Sequence, residues 1–265
     1  MRRSGLLWGI VLLLVGTLLL LSNLGIVTVN LWSAFLAVAL IVFGVGLLWN
    51  VVGGLDSSEG ELVTIPLGDI LGARIRVQHG AGRLRVDGSA SAGMLVEGTF
   101  GSGLDVRKRR LGDEVELELS PGGFPAVFAP WNWSTGGIGW AFGLSPEIPM
   151  TLGVETGASE AQLDLRDLRI TDLRLETGAS SVEVTLPARA GHLRAHVEAG
   201  AAAIMVRVPE GVAANIRVQG ALASVDVDQQ RFPRSGDAYR SPEYEETEHR
   251  VDLEVEAGLG SLTVR

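Results

Sequence analysis

Apolar and polar positions divide the chain near residue 56. Gly5 to Leu21 and Leu31 to Trp49 are two apolar runs. Each is close to the ~20 residues that carry a helix across a ~30 Å hydrocarbon core. Between them, Ser22, Asn23, Gly25 and Asn30 break the apolar run and suit a short turn. Trp8, Trp32 and Trp49 sit near the ends of the runs, where indole rings favour the membrane interface. This pattern predicts an α-helical membrane hairpin over 1–52 and a linker over 53–60. A cleaved signal peptide is the competing reading of the first run. No small-x-small cleavage site follows it, and a second span does.

From residue 61 the period changes to two. Val115-Glu116-Leu117-Glu118-Leu119, Val182-Glu183-Val184-Thr185-Leu186 and Val251-Asp252-Leu253-Glu254-Val255 alternate apolar with polar residues. Such alternation marks strands with one buried face, so 61–265 is expected to be an all-β domain. The strands recur. Glu155-Thr156-Gly157-Ala158-Ser159 is echoed by Glu176-Thr177-Gly178-Ala179-Ser180 and by Glu198-Ala199-Gly200-Ala201. Gly157, Gly178, Gly200 and Gly220 are spaced by 21, 22 and 20 residues, Gly80 and Gly101 by 21, and Gly258 closes the series. A repeat of that length with short strands predicts a solenoid-like stack of rungs ~4.8 Å apart, with Gly at the turns. A β-sandwich with regular hairpins is the alternative. Two segments interrupt the register, 121–149 and 229–249, and both exceed usual connections.

Charge sharpens this division. No charged side chain occurs between Arg3 and Asp56, and the remainder holds 20 bases and 31 acids, a net of -11. A nucleic-acid binder is therefore not expected. Arg2 and Arg3 favour a cytoplasmic N-terminus, and two spans return the β domain to the cytoplasm. The chain has no Cys, which removes disulfides, thiolate metal sites and cysteine nucleophiles. No ionisable residue lies within either span to carry protons or ions.

Candidate sites are few. Phe124, Phe128, Trp131, Trp133, Trp140 and Phe142 crowd the first insert. They form a candidate interaction surface for a membrane or partner, or else a lid over an open end of the stack. Arg107-Lys108-Arg109-Arg110 is the only basic run. It is a candidate contact for lipid headgroups, or a charged strand edge that discourages pairing. His192 and His196 are four apart but lack the Glu that a zinc protease places beside its first His. Both read as outward strand positions, so no metal site is predicted. Phosphate loops, nucleophile elbows and calcium loops have no counterpart, and no catalytic residue, cofactor or enzyme activity is expected. Carboxylates that meet only in three dimensions keep a carbohydrate-active enzyme as a third reading.

Leu6-Leu7-Trp8-Gly9-Ile10 through Leu48-Trp49, with Ser22-Asn23-Leu24-Gly25 between, resembles the transmembrane region of LiaI/LiaF-type proteins. The β portion resembles the C-terminal domain of LiaF-like proteins, also called toast-rack or adhesin-type. Tyr244-Glu245 and the run from Arg250 to Arg265 carry much of that likeness. The resemblance implies a bacterial membrane protein that regulates envelope-stress signalling by protein contact, with a sensor histidine kinase as the partner class. This chain has two predicted spans, fewer than that regulator typically has. The alternative is a structural or adhesive module that assembles with copies of itself through an exposed final rung, Leu262-Thr263-Val264.

Overall fold

A computed structural model describes residues 60–101, 103–122, 139–189, 191–221 and 223–265. The expected hairpin over 1–52 and nearly all of the linker over 53–60 lie outside them. No helix among the described residues is long and apolar enough to cross a membrane.

The described part is all-β. Its strands are β1 (Glu61–Pro66), β2 (Gly72–Asp87), β3 (Met94–Phe100), β4 (Leu104–Leu111), β5 (Glu114–Pro121), β6 (Gly139–Leu144) and β7 (Pro149–Asp164). They continue as β8 (Arg169–Thr185), β9 (His192–Arg207), β10 (Ala213–Gly220), β11 (Ser224–Val227), β12 (Arg234–Ser235), β13 (Ala238–Arg240) and β14 (Arg250–Val264). All belong to one 14-stranded sheet, a long solenoid-like stack.

Five long strands, β2, β7, β8, β9 and β14, form its centre and run parallel in that order. Each turns a corner near its middle, and the burial pattern shows how. In β7, Met150, Leu152, Val154 and Thr156 are buried; Gly157 and Ala158 are both exposed; then Ser159, Ala161 and Leu163 are buried. Side chains alternate with period two, so two successive exposed positions shift the phase by one. The strand thereby keeps its apolar side inward on both arms. β9 repeats the shift at Gly200-Ala201, and β14 at Gly258-Leu259. One hydrophobic core takes residues from both arms. Each fully buried Leu, Val or Ile contributes roughly 1.5–3 kcal/mol.

The arms have different neighbours. On the leading arm, β4 and β5 extend the stack beyond β2, while β10, β13 and β12 extend it beyond β14. On the trailing arm, β6, β3 and β1 flank β2, and β11 flanks β14. The repeat order is therefore not the spatial order. β14 inserts between β9 and β10, which are consecutive in sequence. The expected final rung is accordingly covered. Leu262 and Val264 are fully buried, Leu262-Thr263-Val264 pairs with β11 on one side and β9 on the other, and β11 is the edge.

The first insert, expected over 121–149, is partly sheet. Residues 123–138 lie outside the description, but β6 is an integral strand between β3 and β2. The second insert is a packed end cap. Phe232 and Tyr244 are buried, and Arg231 donates to the Val208 and Pro209 carbonyl oxygens at 2.8 and 3.0 Å.

His79, at the inner corner of β2, is buried against Trp140, with ring centroids 5.2 Å apart. Its Nε2 has no hydrogen-bond partner among the described residues. Burial holds its pKa below the usual histidine value. The folded state thus binds the proton less well than the unfolded state. This contribution to stability is present above pH ~6.5 and is lost as pH falls below that value. Denaturant unfolding of the full chain in mild detergent at pH 7.5 and 5.0 is expected to show a smaller acid loss for His79→Phe than for wild type. Equal losses would count against this role.

Candidate interaction surface

The corner positions line up across the stack. Thr156, Thr177 and Ala199 face inward, and the preceding Glu of each strand faces out. Strand register makes Gln78, Glu155, Glu176, Glu198, Glu256 and Gln219 successive neighbours on β2, β7, β8, β9, β14 and β10. The glycine two residues after each of these glutamates lets the rungs close up. A Cβ on Gly157 would lie 2.4 Å from the Gly80 carbonyl oxygen, and one on Gly178 would lie 2.9 Å from that of Gly157. On Gly200 it would meet the Gly178 oxygen at 3.1 Å, and on Gly258 the Gly200 oxygen at 2.8 Å. Where side chains are missing along this line, an open groove of about 990 Å³ runs beside the glutamates.

Aligned like charges repel across neighbouring strands. Arginine and amide groups offset part of this. Arg174 donates to Glu176 at 2.8 Å and to Glu198 at 3.2 Å, bridging two rungs. Gln78 donates to Glu155 at 3.4 Å. His196 lies 2.7 Å from Glu198, and its hydrogen bond, with the nearby Arg174, holds that carboxyl below its usual range. Inside the corner, Thr156 and Thr177 share a buried hydroxyl hydrogen bond of 2.9 Å.

The other repeat glycines stand elsewhere. Gly80 occupies the β2 end of the ladder, where an added Cβ would meet no described atom within 4 Å. Gly220 is offset by one place, opposite Ala257, with φ +113°. Gly101 lies outside the ladder, following β3, where its carbonyl accepts from Trp140. Its spacing from Gly80 matches the repeat without sharing its geometry, because β3 runs antiparallel beside β6.

Of the six aromatics expected to form a surface, Phe124, Phe128, Trp131 and Trp133 lie outside the described residues. Trp140 and Phe142 are core residues on β6, both at most 3% exposed. Trp140 Nε1 donates to the Gly101 carbonyl oxygen at 3.0 Å, and Phe100 packs edge-on to Trp140 and stacks on Phe142. Alternate positions of β6 face the core, so these two cannot belong to a docking surface.

Arg107, Lys108, Arg109 and Arg110 are exposed on β4, the outermost strand at one end of the leading arm. Lys108 stands opposite the buried Leu117, on the side where a further apolar residue would otherwise continue the core. Such a charge on an edge strand discourages uncontrolled pairing. His192 lies 2.7 Å from Asp252, and His196 also faces Glu254 at 3.6 Å, so both imidazoles tie β9 to β14 on the outer face. Asp252 is partly buried, which raises its pKa, yet hydrogen bonds from Asn215, His192 and Tyr244 bring it below the usual value. No group of three or more His, Asp or Glu among the described residues is arranged to hold a metal ion.

The acidic row was present in the repeat phrase as the Glu before each Thr-Gly or Ala-Gly. Alternation with period two places each of them on the outward face of its own strand. Their convergence depended on parallel in-register pairing, which a linear pattern does not specify.

No curated protein sequence matches the chain. Among solved structures, a protein described as a "putative cell adhesion protein" from Clostridium sporogenes superposes with a TM-score of 0.70 at 19% identity. The match covers 78% of this chain and 98% of that one, and it shows a shared fold. A family model, the N-terminal domain of toast_rack, DUF2154, matches residues 55–207, more than half of the chain, and the protein belongs to this toast-rack family.

Proposed function

We propose that this protein is a non-enzymatic, membrane-anchored interaction module that regulates or scaffolds an envelope-stress signalling complex in a bacterium. The observation that carries the reading is the in-register glutamate row beside an open groove. A rigid ladder with outward charge at fixed spacing offers a partner many weak contacts at once, and its electrostatics favour a basic partner surface. The apolar runs over 1–52 would hold the module at the bilayer, with the β domain on the cytoplasmic side. A sensor histidine kinase is the partner class that the family resemblance suggests.

The test is co-purification of the tagged full chain from membranes under conditions that keep complexes intact. A membrane kinase is expected in the wild-type eluate and absent from that of Glu176→Lys/Glu198→Lys. Recovery of the tagged chain alone, or retention of the kinase by the variant, would overturn the reading. An adhesive role is the second reading, favoured by the fold shared with the clostridial protein. Cleavage of the β domain by protease added to intact cells would support it and displace the cytoplasmic placement.

A further inference from the structure

β14 interrupts a regular progression of rungs. Its register to β9 is a constant 58 residues, as in Val255 opposite Val197 and Val264 opposite Val206. Its register to both β10 and β11 is a constant 37, as in Val255 opposite Val218 and Val264 opposite Val227. β10 and β11 thus form one rung, divided at the corner, that stands 58 − 37 = 21 residues after β9 at every level. That is the interval between adjacent rungs, which is 21 from Val154 to Leu175 and 22 from Leu175 to Val197. The connections agree. Five residues join β9 to β10, against four from β7 to β8 and six from β8 to β9. The β9–β10 connection nevertheless spans two strand spacings, because β14 lies between.

β9 therefore has two candidate neighbours in the chain. With β14 removed, Ala214, Ile216 and Val218 would stand opposite Leu193, Ala195 and Val197, and Val225 and Val227 opposite Ile204 and Val206. Each apolar residue keeps its inward sense, because the two registers share one phase. Rungs of a stack contact only their neighbours, so one can leave when those on either side close up. What favours β14 is its own burial and its outer face. Val251, Leu253, Val255, Leu262 and Val264 are buried. Asp252 accepts hydrogen bonds from His192 on β9, Asn215 on β10 and Tyr244 in the cap, and Glu254 faces His196 at 3.6 Å. β10 would set Arg217 against His196 instead. The inserted arrangement is thus the resting one.

We propose that β14 is a removable strand, and that the protein has a second arrangement in which β10 and β11 pair directly with β9. The two packings of one chain share the inward phase of their core and differ by one rung. The exchange also sets the length of the acidic row. Glu198 is followed by Glu256 when β14 is in and by Gln219 when it is out. That consequence, which rests on the partner reading above, makes β14 a regulator of the site. The exchange itself needs no partner.

Disulfide formation in the full chain, in mild detergent, tests it. The chain has no Cys, so engineered pairs are its only thiols. Ala203 and Ser224 are exposed on the trailing arm, with Ser261 of β14 between them. Two strand spacings put them ~9.6 Å apart. This exceeds the ~7 Å that a disulfide bridges without backbone movement. Ala203→Cys/Ser261→Cys is expected to oxidise readily, and Ala203→Cys/Ser224→Cys at least about ten-fold more slowly, as a minor arrangement requires. Asp252→Ala leaves the inner face of β14 intact and is expected to speed closure of the 203/224 pair about ten-fold. Leu253→Asp/Val255→Asp is expected to reverse the order of the two pairs, with β14 open to protease and a cooperative melt retained. A 203/224 pair that never closes in the folded chain overturns the proposal, as does one whose rate Asp252→Ala leaves unchanged. So does a Leu253→Asp/Val255→Asp chain that loses its cooperative melt or keeps the 203/261 pairing. Failure of the kinase co-purification beside an intact disulfide pattern would count only against the partner reading.

Discussion

Trp140→Ala is expected to destabilise the β domain by about 3–5 kcal/mol, the range for truncating a large buried aromatic. Trp140 is 2% exposed and touches Phe100 and His79, and its indole N–H holds the Gly101 carbonyl. The alanine variant removes all three contacts and leaves that carbonyl without its partner. Denaturant unfolding of the full chain in detergent would show a large fall in midpoint, and Trp140→Phe should recover part of it. An alanine variant that melts like wild type would return Trp140 to the surface role its sequence neighbourhood suggests. The other tryptophans of that segment are a separate question, because a docking residue can be truncated without loss of fold.

Gly157→Ala is expected to cost at least about 1–3 kcal/mol, the range for forcing an extra carbon into a packed site. The new Cβ would stand 2.4 Å from the Gly80 carbonyl oxygen, and a backbone atom in the centre of a sheet cannot swing aside. Gly80→Ala is the control. Among the described residues nothing lies within 4 Å of its Cβ position, so its stability should change by no more than about 0.5 kcal/mol. Both glycines belong to the same repeat and occupy the same corner. Only Gly157 has a rung on the side toward which its Cβ would point. A Gly157→Ala domain as stable as wild type, measured beside Gly80→Ala, would mean that the rungs are not held this closely.

The same contrast explains how much of the architecture was legible beforehand. Alternation in Val182 to Leu186 and in Val251 to Val255 marked strands because a half-buried strand needs nothing but its own period. The E-T-G-A-S phrase marked rungs because neighbours in a stack face the same surroundings and need the same residues. Trp140 and Phe142 were misplaced for a related reason. They follow a Gly- and Pro-rich stretch, and only pairing with β2 and β3 makes Gly139–Leu144 a strand. Gly101 shows the opposite error, a correct interval with an unrelated geometry.

The sequence by itself determined the division near residue 56, the all-β character of the second part, the corner glycines and the inward or outward sense of most strand residues. These are local properties, set by side-chain alternation and backbone freedom. Tertiary structure alone decided that β14 lies between β9 and β10, that β11 is the edge, and that the glutamates form one row. Each of these depends on which strand lies beside which. That choice belongs to hydrogen bonds between residues far apart in the chain, and a rung with an apolar inner face is compatible with many neighbours.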